Sequence, residues 1–458
     1  MVQHHSPAWF ETASGANHEL KMTFADVLSA ESLKKSGVAH GIQPLAERVL
    51  DWLRQFGFTY NPFQEYNSEQ DVNLSEHFIE PPDFDTLLDV NNQAIFARIG
   101  DGKTATRLRL QSFYRDALAD KRVFAFSYLI SQESADDPPT TFVQHLDAIL
   151  TSAVRHLFIL LALRGVTLPI LQNEQSALSL AGQFVAFFDQ YYGMVDTWHA
   201  DLRQALLEQS LHQAISNLAP VYDDLELQAH TESVNTVWLQ CWLRWLEINS
   251  NQHSFQLAIK PIDKWQQFCE LLQYIGIRKI LILVDNVDVK PDDMAFTGMH
   301  GIAHLESQAG NRNNSKRMAT IMQPLFDACR NYTLGKNVAW KLFLPLELYS
   351  QCFPYLSNQI LHAIVLWDNE RLRKLLEFRL ASATGGTVST LLQIAEEDVP
   401  NDLETYLIVQ SGLSPRYLTN LINKILEAHV AQVDGYPLPG KLSCTILTQI
   451  PELSHSPI

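Results

Sequence analysis

Five short apolar runs punctuate the chain, at Ala94–Ala97, Val123–Tyr128, Ile280–Val284, Ala339–Leu344 and Ala363–Leu366, and helical patterns fill the stretches between them. Runs this brief are too short for stable helices and too apolar for surface loops, so they predict buried strands. Strands that alternate with helices predict a parallel sheet covered on both faces, since parallel neighbours require a long crossover, usually a helix. The expected fold class is therefore α/β, with a parallel sheet of about five strands. Residues from about 141 to 275 are helical in pattern, too long for a single crossover, and about 170 to 250 reads as a helical insertion between the second and third strands. After Leu366 the pattern is helical again to about 432, which predicts a small C-terminal helical domain.

The remaining segments read more simply. Residues 1 to about 40 are weakly periodic and read as an arm. Leu45, Val49, Leu53 and Phe56 recur at helical spacing, with Gly57 as the stop. Tyr60 to Asp89 is rich in Asn, Pro and acids and reads as an extended lead-in to the first strand. Residues 289–318 read as a long polar loop, and the tail from Gly435 as a strand or hairpin. The expected division is 1–58 for the arm and first helix, 59–368 for the sheet core with its insertion, 369–432 for the helical domain and 433–458 for the tail.

Composition narrows the function. Lys plus Arg number 34 against 51 Asp plus Glu, a net charge of −17. A chain this acidic repels nucleic-acid backbones and anionic membranes, so nucleic acid is a disfavoured partner. The five cysteines contain no C-x-x-C pair and are odd in number, which fits reduced thiols and a cytoplasmic setting. The most apolar helical stretch, Leu157–Leu163, is far shorter than the roughly 20 residues a bilayer requires, and the N-terminus has no signal-peptide pattern, so no membrane partner is expected.

The first strand runs directly into Gly100-Asp101-Gly102-Lys103-Thr104-Ala105, and a helical pattern with Leu108, Leu110, Phe113 and Leu118 follows. Strand, glycine turn and helix is the context in which a backbone can wrap an anion. Glycines let successive N–H groups turn inward, and the helix N-terminus adds partial positive charge. Lys103 is placed to reach β- and γ-phosphates, and the Thr104 hydroxyl to bind Mg²⁺. The run Lys279–Val284 then ends in Asp285, with Asp288 three residues on. A buried strand delivers ligand groups at its C-terminal end, so Asp285 is the candidate for the metal and Asp288 for orienting the attacking water. Finally, Ser414 and Pro415 open a helix whose apolar face is Leu418, Leu421, Ile422, Ile425 and Leu426. Arg416 sits at that helix start, where a cation opposes the dipole and calls for an anionic neighbour.

Together these segments resemble the STAND branch of P-loop ATPases, close to origin-recognition-type AAA+ proteins. The resemblance runs from about Asn61 to His429. Asn61 and Pro62, with Phe63, Glu69, Asp71, Leu74 and Phe78, are similar to the family's segment bordering the adenine. Gly100, Gly102, Lys103 and Thr104 match its Walker A motif, and Asp285 and Asp288 its Walker B motif. Trp367 to Leu380 and Ser414-Pro415-Arg416 resemble its helical lid, with Arg416 at the sensor-2 position. Three departures stand out: Ala97 replaces the first Walker A glycine, Val289 replaces an acid after the Walker B aspartates, and no clear Asn or Arg ends the strand at Leu344. The resemblance implies ATP and Mg²⁺ as ligands, a low intrinsic ATPase rate with Asp288, Lys103 and Arg416 as catalytic groups, and a nucleotide-dependent switch. It implies a separate effector or sensor protein as partner, and a homo-oligomer. A pseudo-ATPase scaffold and a DNA-associated loader are the alternatives.

Two other features invite a role. Trp238, Trp242 and Trp245 form a helical stripe, in the first instance a core stripe and otherwise a partner groove. Arg312, Lys316 and Arg317 cluster in the 289–318 segment, either solvated or supplying an arginine to a neighbouring subunit.

Overall fold

The computed structural model describes residues 44–449, apart from 66–67, 69–70, 72, 82–83, 131–138, 163–167, 169–172, 193–259, 288–307, 357–358 and 434–437. Its centre is a five-stranded, all-parallel sheet: β1 (Gln93–Ala97), β2 (Val123–Leu129), β3 (Lys279–Asp285), β4 (Val338–Pro345) and β5 (Leu361–Ile364), in the order β2-β3-β4-β1-β5. The helices long enough to shape the fold are α1 (Leu45–Arg54), α2 (Lys103–Asp116), α3 (Phe142–Ala162), α4 (Glu174–Tyr192), α5 (Pro261–Tyr274), α6 (Gln308–Asn331), α7 (Asn369–Thr384), α8 (Leu403–Gln410) and α9 (Pro415–Ala431), with the shorter α10 at Cys444–Gln449.

Strand alternation sorts the apolar residues into two layers. Ala94, Phe96, Phe124, Phe126, Ile282, Val284 and Leu342 face one side, where α3, α4, α5 and α6 close over them. Ile95, Ala97, Leu281, Leu283 and Phe343 face the other, where Leu110 and Tyr114 of α2 cover them. Both faces are buried, which explains why β1, β3 and, apart from Lys341, β4 read as largely apolar runs.

A second core joins α1 to α7, α8, α9 and α10. Trp52 of α1 is fully buried there and its indole N–H reaches the carbonyls of Pro439 and Gly440. Arg48 donates to the carbonyls of Val430 and Val433. The helix at residues 45–54 thus packs with the C-terminal helices rather than on the sheet. Among the described residues, no helix is long and apolar enough to cross a membrane.

Several local expectations are corrected. The stretch 60–89 is not simply extended but carries single helical turns at Leu74–His77 and Phe84–Leu87. The segment 289–318 is not all loop, since α6 begins at Gln308; the sequence QAGNRNNSKR at its start offers no apolar period to read. The last strand lies two residues earlier than the Ala363–Leu366 run, because β5 is an edge strand whose outer positions, including Leu361, are exposed. The tail forms α10 rather than a hairpin, and Leu442 makes only an isolated bridge to Ala395. Trp238, Trp242, Trp245, Asp288 and Val289, and the side chains of Arg312, Lys316 and Arg317, lie outside the described residues.

One buried charge stands out in the sheet. Lys341 of β4 is opposite Gln93, the first residue of β1, and is fully buried. Its ammonium donates to Asn91 Oδ1 at 2.9 Å and Gln93 Oε1 at 2.8 Å. Burial pulls its pKa down to about 7, against the opposing pull of Asp89.

Candidate nucleotide-binding site

The strand order fixes where a ligand can sit. From β1 the chain crosses to β2 at one edge, and from β4 it crosses over β1 to β5 at the other. Connections that leave neighbouring strands in opposite directions open a crevice at their carboxyl ends, the usual binding place in an open α/β sheet. The loop after β1 and the segment after β4 border that crevice.

The loop has the shape an anion needs. Gly100 and Gly102 take φ values of 89° and 88°, a left-handed backbone that glycine adopts without steric cost. α2 begins immediately, at Lys103, so its N-terminus opens onto the loop. Lys103 is buried and curls over the loop, its ammonium donating to the carbonyls of Ala97 and Arg98, each at 3.3 Å. Ala105 lies in the first turn of α2, and Thr106 closes the turn by donating its hydroxyl to the Gly102 carbonyl. Asp101 is buried as well. Burial raises its carboxyl pKa, opposed by Arg98 and Lys103, while Glu347, just past β4, pushes it further up. Its carbonyl accepts the indole N–H of Trp367 at 2.9 Å.

The structure brings Thr104 and Asp285 together from opposite sides of β4. The Thr104 hydroxyl donates to Asp285 Oδ2 at 3.1 Å. Asn286, immediately after, adopts φ 62°, which turns the chain sharply off the end of β3. Arg107, one helical turn past Lys103, is fully buried and donates Nε to the same Asp285 oxygen at 3.0 Å. Its Nη1 donates to Ser127 Oγ at 2.6 Å, and Ser127 donates on to Gln111 Oε1 at 2.6 Å. Sequence reading overlooked this chain. Its signal was present in the four-residue spacing of Lys103, Arg107 and Gln111 along α2, and in the lone serine of the apolar strand VFAFSYL.

The resemblance implies a divalent cation, and the donors fit one of a particular kind. Thr104 Oγ1 and Asp285 Oδ2 are neighbouring hard oxygens of the type Mg²⁺ takes. No group of three or more His, Cys, Asp or Glu assembles among the described residues. Thr104 and Asp285 would supply two oxygen ligands to such an ion.

The helical domain closes on the same loop. Arg416, at the start of α9, donates its backbone N–H to the Gly100 carbonyl at 3.4 Å. A side chain on Gly100 would meet Ser414 Oγ at 2.9 Å and Arg416 Cβ at 3.1 Å, and one on Gly102 would meet the Trp367 ring at 3.9 Å. Ser414 occupies the N-cap position, as its sequence suggests, yet its hydroxyl makes no capping hydrogen bond and lies against Gly100 instead.

Asn61 and Pro62 are placed differently. Asn61 Nδ2 donates to Asn423 of α9 at 2.9 Å, and the Pro62 carbonyl accepts from Arg379 of α7. Both are thus fastened to the helical domain. Arg379 also reaches Asp71 Oδ2 at 3.0 Å, where His77 Nε2 joins at 2.8 Å. Burial alone would raise the Asp71 pKa, but His77 and Arg379 hold it below the usual carboxylate range.

No protein-family model, curated protein or solved structure matches this chain.

Proposed function

We propose that the chain binds ATP with Mg²⁺ in the crevice above β1 and β4, and works as a slowly hydrolysing P-loop switch of the STAND/AAA+ kind that controls assembly with a partner protein. The observation that carries this reading is the loop from Gly100 to Thr104. It has two left-handed glycines at the end of a buried strand, a helix opening at Lys103, and Thr104 held against Asp285 across the sheet. Backbone N–H groups and the α2 dipole supply the anion cradle, and Lys103 supplies a mobile cation that can exchange two carbonyls for phosphate oxygens. Bound Mg²⁺ would neutralise phosphate charge; Thr104 and Asp285 are the residues to hold it.

Arg416 and Trp367 support the switch part of the proposal, since both fasten the helical domain to the loop that takes the phosphates. A ligand that pushes on this loop pushes on the lid, and only a differential contact between triphosphate and diphosphate can shift the lid's position. Slow turnover fits an Asp285 carboxylate already committed to Arg107. The same ion pair favours, as a second reading, a pseudo-ATPase scaffold that binds nucleotide and does not turn it over.

The test is ATP titration of the Lys103→Ala variant by calorimetry. Removing a charge-assisted contact from a largely desolvated site costs about 2–3 kcal/mol, on the order of 30- to 150-fold in affinity. A folded Lys103→Ala protein with undiminished ATP affinity refutes the phosphate-loop assignment.

A further inference from the structure

Arg107 lies where a nucleotide site has little reason to carry a second buried cation. A guanidinium carries a full positive charge. Nε rests on Asp285 Oδ2, the same oxygen that accepts the Thr104 hydroxyl. Nη1 is held by Ser127, and Ser127 by Gln111, so the guanidinium is fixed from the α2 and β2 sides as well as the β3 side. Its side chain is 0% exposed and that of Asp285 2%, so solvent screens this charge weakly. A fixed positive charge two hydrogen-bonded contacts from the Thr104 hydroxyl repels a divalent cation placed there. The same charge cancels that of Asp285, which would otherwise repel the phosphates and need a metal to mask it.

We propose that Arg107 is the standing counter-cation of this nucleotide site, cancelling Asp285 so that ATP binds almost as well without a divalent cation as with one. The inference rests on the nucleotide reading above and adds a specificity: the site takes the metal-free triphosphate as readily as its Mg²⁺ complex. Arg107 is a positioning residue here, acting through Asp285. The two electrostatic effects share a sign, because the arginine both weakens the metal's hold and removes the need for it. By linkage, the factor by which Mg²⁺ changes ATP affinity equals the factor by which ATP changes Mg²⁺ affinity, so one ratio reads both.

The experiment measures ATP affinity of the full chain calorimetrically, in EDTA and in saturating MgCl₂, for the wild type, Arg107→Gln and Asp285→Asn. The wild type should differ by no more than about threefold between the buffers, and Arg107→Gln should favour Mg²⁺ by about tenfold or more, within the usual range of coupling between sites. Asp285→Asn should bind ATP in EDTA more tightly than the wild type, since it removes the negative charge and leaves the arginine. Equal ratios in Arg107→Gln and wild type overturn the proposal, as does a wild type that already requires Mg²⁺ for tight binding. Should Arg107→Gln fail to fold, Arg107→Lys and Asp285→Asn decide. The lysine variant must keep the wild-type ratio, and an asparagine variant whose ATP affinity in EDTA is unchanged or weaker overturns the idea. A wild type that binds no ATP in either buffer defeats the nucleotide reading itself, a result distinct from binding with strong Mg²⁺ dependence.

Discussion

Lys341 offers a quantitative test of how this sheet is held together. In the unfolded chain its pKa is the ordinary 10.5, and burial brings it to about 7 in the native sheet. Between those values the unfolded chain binds more protons than the folded one, so stability rises with pH across that window. From pH 7 to pH 9 the native ammonium goes from half protonated to almost wholly neutral, while the unfolded one stays charged. Integrating over that interval gives about 2 kcal/mol of added stability at pH 9, from roughly 1.4 kcal/mol per pKa unit. Replacing Lys341 with Met removes the titrating group and keeps most of the buried stem volume. It also leaves Asn91 and Gln93 without the donor they now accept from. Whatever that loss costs is independent of pH, so the slope rather than the absolute stability is diagnostic. Urea unfolding of wild type and Lys341→Met at pH 7 and pH 9 should show the wild type gaining about 2 kcal/mol relative to the variant. Parallel pH dependence in the two proteins would mean that Lys341 stays charged in the fold and that its two oxygen neighbours solvate it fully.

Other expected outcomes concern the loop and its lid. Gly100→Ala forces a Cβ into a left-handed position and against Ser414 and Arg416, so it should cost about 1–3 kcal/mol of local strain. Hydrogen exchange at the start of α9 should then quicken, and unchanged protection there would show that the lid does not rest on this turn. If the proposed switch is right, Arg416→Ala should leave ADP affinity nearly intact and weaken the response specific to ATP, because a lid contact made only by the third phosphate would distinguish the two nucleotides. An equal loss for both nucleotides would make Arg416 a packing residue.

The sheet was legible because four of its five strands are buried on both faces, which prints a mostly apolar run into the sequence, interrupted only by single polar residues such as Ser127 and Lys341. β5 was misplaced by two residues for the opposite reason: on an exposed edge, His362 and Leu361 are tolerated alike and the run Ile364–Leu366 catches the eye instead. The glycine turn before α2 was legible from Gly100, Gly102 and Lys103, whose spacing speaks of backbone shape. Arg107 was not, because its importance comes from Asp285, 178 residues away in the chain, and only folding brings the two together. The start of α6 was hidden for want of an apolar stripe, since a helix without one leaves no period to find.

The packing of α1 among the C-terminal helices has a mechanical consequence. The lid is assembled from both sides of the sheet domain in sequence, so the chain passes between the two bodies twice, once on the way into β1 and once on leaving β5 at Val365–Asp368. A body tethered by one strand can swivel about it in any direction. A body tethered by two has less freedom, and here one tether carries Trp367, whose indole donates to the Asp101 carbonyl. A rocking of the helical body about these two crossings would bear on Gly100 and Asp101. α1 and the helices after Val365 thus belong to one body, although the whole sheet lies between them in sequence.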